Sequence, residues 1–221
     1  TPGPADGKWL YGHNWVALSW LATHPAWGVI ALPLRSLLYV REIDVPKLAD
    51  KYDWEFRTKH QLGVELLTWF VATLKKLGVK TKVWLAVDGA YAARPFLLPV
   101  LELGIVVVSR LRKDACLFDL PAEGSHGNRL YGKNKISLAK RAGHRQGWSS
   151  ITYQCRGVCV TRPYKTFLAT SRLISGKIRV VIVRFEDGGW RPISARTRRP
   201  KCVIFWKQWR RVGRSKNIST M

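Results

Sequence analysis

Lys82-Val-Trp-Leu-Ala-Val-Asp88-Gly89, answered further on by Ile105-Val-Val-Val-Ser109-Arg110, is the passage whose reading decides the fold. Lys82–Val87 is a short apolar strand that ends on an acid and a glycine. From about Ala92 to Leu103 the spacing predicts a helix, Gly104 stops it, and Ile105–Val108 is again an apolar strand. Strand, helix and strand make a βαβ unit. Upstream, Asn14–Ala22 and Gly28–Val40 are rich in Val, Leu, Ile and Trp with His24-Pro25-Ala26 between them, which predicts a hairpin of two largely buried strands. Between hairpin and βαβ unit, Leu62, Leu66, Phe70, Leu74 and Leu77 recur every three or four residues. With acids at the start, Lys75 and Lys76 at the end and Gly78 beyond, Tyr52–Leu77 reads as one amphipathic helix. The expected class is therefore α/β, a mixed sheet with flanking helices.

After Pro121 the texture changes. Glu123–Asn128 reads as a loop, and Lys133–Arg145 packs five Lys or Arg and His144 into thirteen residues, as in a solvated basic face. Ile151–Tyr153, Val158–Thr161, Thr166–Thr170 and Ile178–Phe185 then read as short strands between turns. The expected organisation is a mixed α/β part over 1–120, a basic, β-rich region over 121–187 and a basic tail over 188–221. No acid follows Asp187, whereas ten Lys or Arg lie between Gly188 and Met221, so Arg191–Met221 is expected to be poorly ordered.

The charge narrows the function. Among 221 residues, Lys and Arg number 38 against 14 acids, a net charge of +24. The excess is uneven, with 15 basic and 11 acidic residues up to position 120, and 23 basic and 3 acidic after it. Such a balance calls for a polyanion, with nucleic acid as the default partner. With 47% apolar residues the chain can bury a core, which excludes a disordered or collagen-like protein. No apolar run is long enough to span a bilayer, since Gly28–Val40 is short and holds Pro33 and Arg35. An anionic membrane would need a basic amphipathic helix, and the tail has no such period. Four scattered cysteines fit a reducing cytoplasm. Cys155-x-x-x-Cys159 has no second pair at zinc spacing and reads as two packed thiols. The start at Thr1 and a single Met in last place read as an incomplete gene product.

Asp88 is the most informative residue. A carboxylate at the C-terminal end of a core strand sits where α/β sheets bind ligands, and its oxygens suit a hard cation such as Mg²⁺. The competing reading makes it a helix N-cap bonding backbone N–H groups near Tyr91. Arg110, Arg112 and Lys113 follow the next strand at the same edge and suit phosphate contacts; a solvated loop is the alternative. Lys133, Lys135, Lys140, Arg141 and Arg145 form a second candidate for DNA backbone contact, with Trp148 nearby as a stacking surface. His13 reads as a satisfied core histidine or a hydrogen-bonding residue at a strand end, and the tryptophans at 9, 15, 20, 27, 54, 69 and 84 read as packing.

Several motifs occur in one order: Trp9-Leu-Tyr-Gly-His13 with Trp15-Val16, Trp27-Gly28, Trp54-Glu-Phe-Arg-Thr-Lys59, Asp88-Gly-Ala-Tyr91-Ala-Ala-Arg94-Pro95-Phe96, Val108-Ser-Arg-Leu-Arg-Lys-Asp114 and Lys135-Ile-Ser-Leu-Ala-Lys-Arg141. Over about residues 1–187 the chain resembles the cut-and-paste branch of the DDE transposases of bacterial insertion sequences. The resemblance implies an RNase H-like core, incomplete here, in which three carboxylates hold two Mg²⁺ ions, with a β-rich insertion between the second and third. It implies DNA as partner, both insertion-sequence ends and target, a homodimer in the intact enzyme, and a bacterial cytoplasmic, nucleoid-associated location. Asp88 resembles the second carboxylate, at once catalytic and metal-binding. The first lies in the family on a strand before the segment matching Thr1–His13, where Asp6 in a Pro/Gly loop is the one acid. The third belongs to a helix after the β-rich section, and Glu186 reads instead as part of a turn. A frameshift near Trp190 is the expected cause of the lost pattern, with a genuine basic tail as the alternative. The expectation is a transposase copy that does not cut by itself; the alternative is a non-catalytic basic nucleic-acid-binding protein.

Overall fold

The computed structural model describes residues 12–24, 28–122, 131–155, 158–173 and 176–195. The chain divides into two compact units, one made of Thr1–Trp20 with Ala31–Lys80 and the other of Leu21–Ile30 with Thr81–Met221.

Strands β1 (Asn14–His24) and β2 (Gly28–Tyr39) form a two-stranded sheet of their own, its residues up to Trp20 and from Ala31 belonging to the first unit. With three residues between them they can pair only as an antiparallel hairpin. Helix α1 (Pro46–Tyr52) follows, and α2 (Lys59–Lys76) is the long helix. The expected helix over Tyr52–Leu77 is thus broken near its start. Asp53 has φ 49°, a left-handed residue that ends α1, and Thr58 opens α2 with a capping box in which Thr58 and Gln61 satisfy each other's backbone N–H groups. Leu62, Leu66, Leu67 and Phe70 form the buried stripe of α2. Its end is a Schellman closure: Gly78 (φ 71°) N–H donates to Lys75 O and Val79 N–H to Leu74 O.

The hairpin is less buried than its composition predicts. Val16 is its one buried residue among those described, and Trp15 and Trp20 are 57% and 51% exposed. A two-stranded sheet offers one face to α2, where Trp20 meets Phe70 at 6.2 Å between ring centroids and Arg35 lies 5.1 Å from the Trp69 ring. Alternation turns Trp15 to the opposite face, and Leu32 and Leu34 are exposed as well, so packing does not account for every tryptophan of the sequence. His13 is likewise exposed, just ahead of β1, rather than a core histidine, while Trp9 and Trp27 lie outside the described residues.

The second unit is one eight-stranded sheet. Its members are β3 (Trp84–Val87), β4 (Val106–Arg110), β5 (Leu117–Phe118), β6 (Lys135–Ile136), β7 (Ser149–Cys155), β8 (Val158–Ser171), β9 (Gly176–Arg184) and β10 (Trp190–Ala195). Helix α3 (Arg94–Glu102) joins β3 to β4, and the six-residue helix α4 (Leu138–Gly143) precedes β7. The order is β3-β4-β10-β9-β8-β5-β6, with β7 on β8. β3 and β4 are parallel, as the βαβ reading requires, and the other pairs are antiparallel. The class is mixed α/β, rich in strand.

Two strands depart from expectation. Val158–Thr161 and Thr166–Thr170 are one strand, β8, which runs through Pro163. That proline lies one residue beyond the last β8–β9 partners, Tyr164 and Val183, where its missing N–H costs no rung of that ladder. The larger correction concerns Trp190–Ala195. Instead of starting a tail, these residues form β10 between β4 and β9. Ile193, Ser194 and Ala195 are fully buried, and Ser194 Oγ lies 3.3 Å from Ser109 Oγ of β4, so its polar atom is matched inside the sheet. Residues 196–221, the rest of the expected tail, lie outside the described residues. One core groups Val108, Ile151, Tyr153, Val181, Val183, Ile193 and Ala195 on one sheet face, with Trp84 and Phe185 against it. Each such residue contributes about 1.5–3 kcal/mol by burial.

Candidate nucleic-acid interface

Because β3 and β4 are parallel, both deliver their C-terminal ends to the same edge. Val87 pairs with Ser109, so the register carried one residue further sets Asp88 beside Arg110. A Cβ built on Gly89 would lie 3.6 Å from Arg110 O, which fixes the same proximity independently. Asp88 is exposed and caps a short 3₁₀ turn over Gly89–Tyr91, its Oδ1 accepting the Gly89 N–H at 2.6 Å. The capping role and the sheet-edge position are thus both real. Burial, and then the Asp88 charge, push the Tyr91 phenol above its ordinary value.

β10 brings further charge to this edge. Pro192 O accepts the Leu111 N–H at 3.0 Å, but proline cannot donate in return, so the β4–β10 ladder stops there and the chain leaves the sheet with Arg112 and Lys113. Arg112 is bound to Asp114 through two 3.0 Å contacts, an exposed pair that draws the Asp114 carboxyl below its usual range. Lys113 Nζ lies 5.0 Å from the centre of the Trp190 ring. Arg110 itself is exposed. Alternation sets Asp88, Arg110, Arg191 and Phe185 on one sheet face, and Arg162 of β8 joins them, since the β8–β9 register carried past Tyr164 and Val183 sets it opposite Phe185. At strand spacing the row from β3 to β8 measures about 19 Å.

The second predicted cluster is built differently. Lys140 and Arg141 ride on α4, while Lys133 and Lys135 precede it, Lys135 in β6; all four are exposed. The Arg141 guanidinium lies 5.0 Å from the Phe167 ring. Beneath them, cations close the C-terminus of α4. Lys165 Nζ donates to Arg141 O at 3.1 Å and to His144 O at 2.6 Å, and the Arg184 guanidinium donates to Ala142 O at 3.0 Å. Trp148 Nε1 donates to His144 O, and its ring lies 4.7 Å from Lys165 Nζ and 4.4 Å from the Arg184 guanidinium carbon. Trp148 is therefore engaged by the protein's own cations instead of standing open to a base. Burial, then Arg184 and Arg141, lower the Lys165 ammonium from its ordinary value.

Sequence reading placed Asp88, Arg110, Arg112 and Lys113 together, and the sheet does so. It kept Lys133, Lys135, Lys140 and Arg141 as one group, which β6 and α4 carry. It missed Arg162, Phe185, Trp190 and Arg191, because Arg162-Pro163 read as a turn and Arg191 as a tail. The overlooked signal is Glu186-Asp-Gly-Gly189 between Ile178–Phe185 and Trp190–Ala195, a hairpin turn in which Phe185 N–H donates to Gly189 O at 2.8 Å.

A site for Mg²⁺ needs several oxygen donors converging on one point. Among the described residues no three His, Cys, Asp or Glu side chains are grouped so that they could hold a metal, and Asp88 brings one carboxylate to its edge. Cys159 is exposed as a free thiol. No helix among the described residues is long and apolar enough to cross a membrane. Comparison with protein-family models finds no match to this chain, and comparison with curated protein sequences finds none either.

Proposed function

We propose that the chain is a transposase-type DNA-binding core, holding the phosphate backbone at one end of its sheet. What supports this reading is one observation: the parallel β3–α3–β4 unit delivers Asp88 and the Arg110–Lys113 cluster to the same edge, where β10 adds Arg191. The finer reading takes β3–α3–β4 as part of an RNase H-like core and β5–β9 as the β-rich insertion. A nucleoid-associated location in a bacterial cytoplasm and pairing of two copies on DNA belong to the same proposal. Phosphodiester cleavage by two Mg²⁺ ions requires a carboxylate shared between the ions and further donors around each. With Asp88 alone matching the family's three acids, the chain binds without cutting.

The test is a titration of a fluorescent duplex with the full chain at several salt concentrations. Binding through n phosphates gives a slope of about −0.9n in log K against log salt. Reversing Arg110, Arg112, Lys113 and Arg191 together is expected to flatten that slope by up to about 4 units, and the same change at Lys133, Lys135, Lys140 and Arg141 tests the second cluster. No salt-dependent binding by the parent chain would overturn the proposal. Incubation of supercoiled DNA with Mg²⁺ is expected to give no nicking; nicking that disappears in Asp88→Ala would show that the metal chemistry is intact.

A further inference from the structure

Among the described residues Arg162 shares with Arg179 of β9 a buried Nε without a hydrogen-bond partner, and differs from it in being tied to a carboxylate. The Arg162 side chain is only 12% exposed, and its NH1 is held by Glu186 Oε1 at 2.7 Å. Glu186 is 81% exposed and stands on the turn between β9 and β10. Phe185, just before it, has the Arg162 guanidinium 5.5 Å and the Arg191 guanidinium 4.6 Å from its ring centre. The two arginines come from β8 and β10, the strands on either side of β9. Two positive groups are thus fixed on one aromatic ring, and the single carboxylate bound to Arg162 is a water-exposed one attached at one point.

That arrangement is poor as a structural ion pair. A nearly buried guanidinium with an unsatisfied donor bears a desolvation cost that one exposed carboxylate contact does not offset. It is well made for an exchange. A phosphodiester has two unesterified oxygens that suit the guanidinium fork, and Glu186, 81% exposed and already largely hydrated, loses little on returning to water. Phe185 keeps Arg162 and Arg191 in place while the anion changes, so both arginines enter the contact already ordered.

We propose that Arg162 and Arg191, held on Phe185, form a further phosphodiester-binding site, and that Glu186 occupies it in the free protein as a stand-in for the phosphate. The site rests on the polynucleotide reading above and extends it: the DNA track runs from the Asp88 edge past that end of the sheet to β8, and each binding event opens the Arg162–Glu186 pair.

The experiment compares Glu186→Gln with Asp187→Asn in the full chain, by fluorescence anisotropy with a labelled 20-base-pair duplex. Asp187 is the neighbouring exposed acid; its carboxylate accepts the Gly189 N–H and forms no ion pair with an arginine among the described residues, so its removal subtracts the same charge from the same turn. Glu186→Gln is expected to tighten binding about fivefold, because the phosphate no longer displaces a carboxylate, and Asp187→Asn less than twofold. Adding Arg191→Gln to Glu186→Gln is expected to abolish the gain. Equal affinities for Glu186→Gln and Asp187→Asn, or a gain that survives Arg191→Gln, would overturn the site while leaving the DNA-binding reading in place. Failure of the parent chain to bind the duplex at low salt would overturn both.

Discussion

The cations around Trp148, from β8 and β9, and those around Phe185, from β8 and β10, are near neighbours in the sheet, yet they serve different ends. Lys165 and Arg184 spend their donors on backbone carbonyls at the end of α4, and the partners cannot leave without unravelling the helix. Arg162 is held by an exposed carboxylate, Arg112 by another, and Arg110 and Arg191 are exposed at the strand ends. A net charge of +24 therefore overstates the surface available to a polyanion. Part of it is internal scaffolding, and what separates scaffold from interface is whether each donor's partner can be exchanged.

Both clusters depend on β10, so the most damaging substitution falls there. Ile193→Ala empties a fully buried position between β4 and β9 and is expected to cost about 4 kcal/mol, read from the urea midpoint. Were Trp190–Ala195 a tail, the midpoint would move by less than about 0.5 kcal/mol.

Lys165→Met and Arg110→Gln separate the two clusters more finely. The first leaves the Arg141 and His144 carbonyls without their donor, and a clear fall in the urea midpoint is expected, with only a small change in DNA affinity. The second is expected to leave the midpoint unchanged and to reduce the salt slope by about 0.9. If both variants lose binding and keep stability, the distinction between scaffold and interface is wrong.

The pH dependence of stability carries the same contrast. The folded-state value of Lys165 lies below its unfolded one, so between the two the unfolded chain binds more protons and stability rises with pH. The rise begins at the folded value and is complete at the ordinary lysine value near 10.5. Denaturant midpoints measured as the pH is raised toward 10.5 are expected to increase more steeply in the parent chain than in Lys165→Met. The Tyr91 phenol acts in the opposite sense and at higher pH, because its raised value keeps it protonated in the folded state after the unfolded chain has lost that proton. Parallel curves for parent and variant would show that Lys165 is no more costly to charge in the fold than in water.

How much of this was legible in the sequence follows from how local each signal is. The βαβ unit, the α2 stripe and the β9 run are periodicities within one segment, and they emerge with boundaries shifted by a few residues. The placement of β10 is not local. Trp190-Arg-Pro-Ile-Ser-Ala195 has a proline and two polar residues in six, and becomes a central strand only because Ser109 can face Ser194 and β4 ends where Pro192 cannot donate. The exposure of Trp15 and Trp20 was hidden for a related reason, since hydrophobic composition does not say how many layers will cover a sheet. At the interface, Asp88 and Arg110 were legible because parallel strands end together, whereas Arg162 and Arg191 needed the β8–β9–β10 register.

The smallest expected effect concerns Asp88, and it bears on what this edge has become. If the edge serves only to hold phosphates, Asp88 beside Arg110 carries the phosphates' own sign and weakens binding by a surface interaction of a few tenths of a kcal/mol. Asp88→Asn keeps the acceptor for the Gly89 N–H and is expected to tighten duplex binding about twofold, equally with and without Mg²⁺. If the carboxylate instead recruits Mg²⁺ once DNA supplies further oxygens, Mg²⁺ will tighten binding by the parent chain and leave Asp88→Asn unaffected. A metal-independent gain assigns the edge to binding alone, and the phosphate row from Arg110 to Arg162 is then the working part of the molecule; a metal-dependent loss makes Asp88 a ligand completed by its substrate.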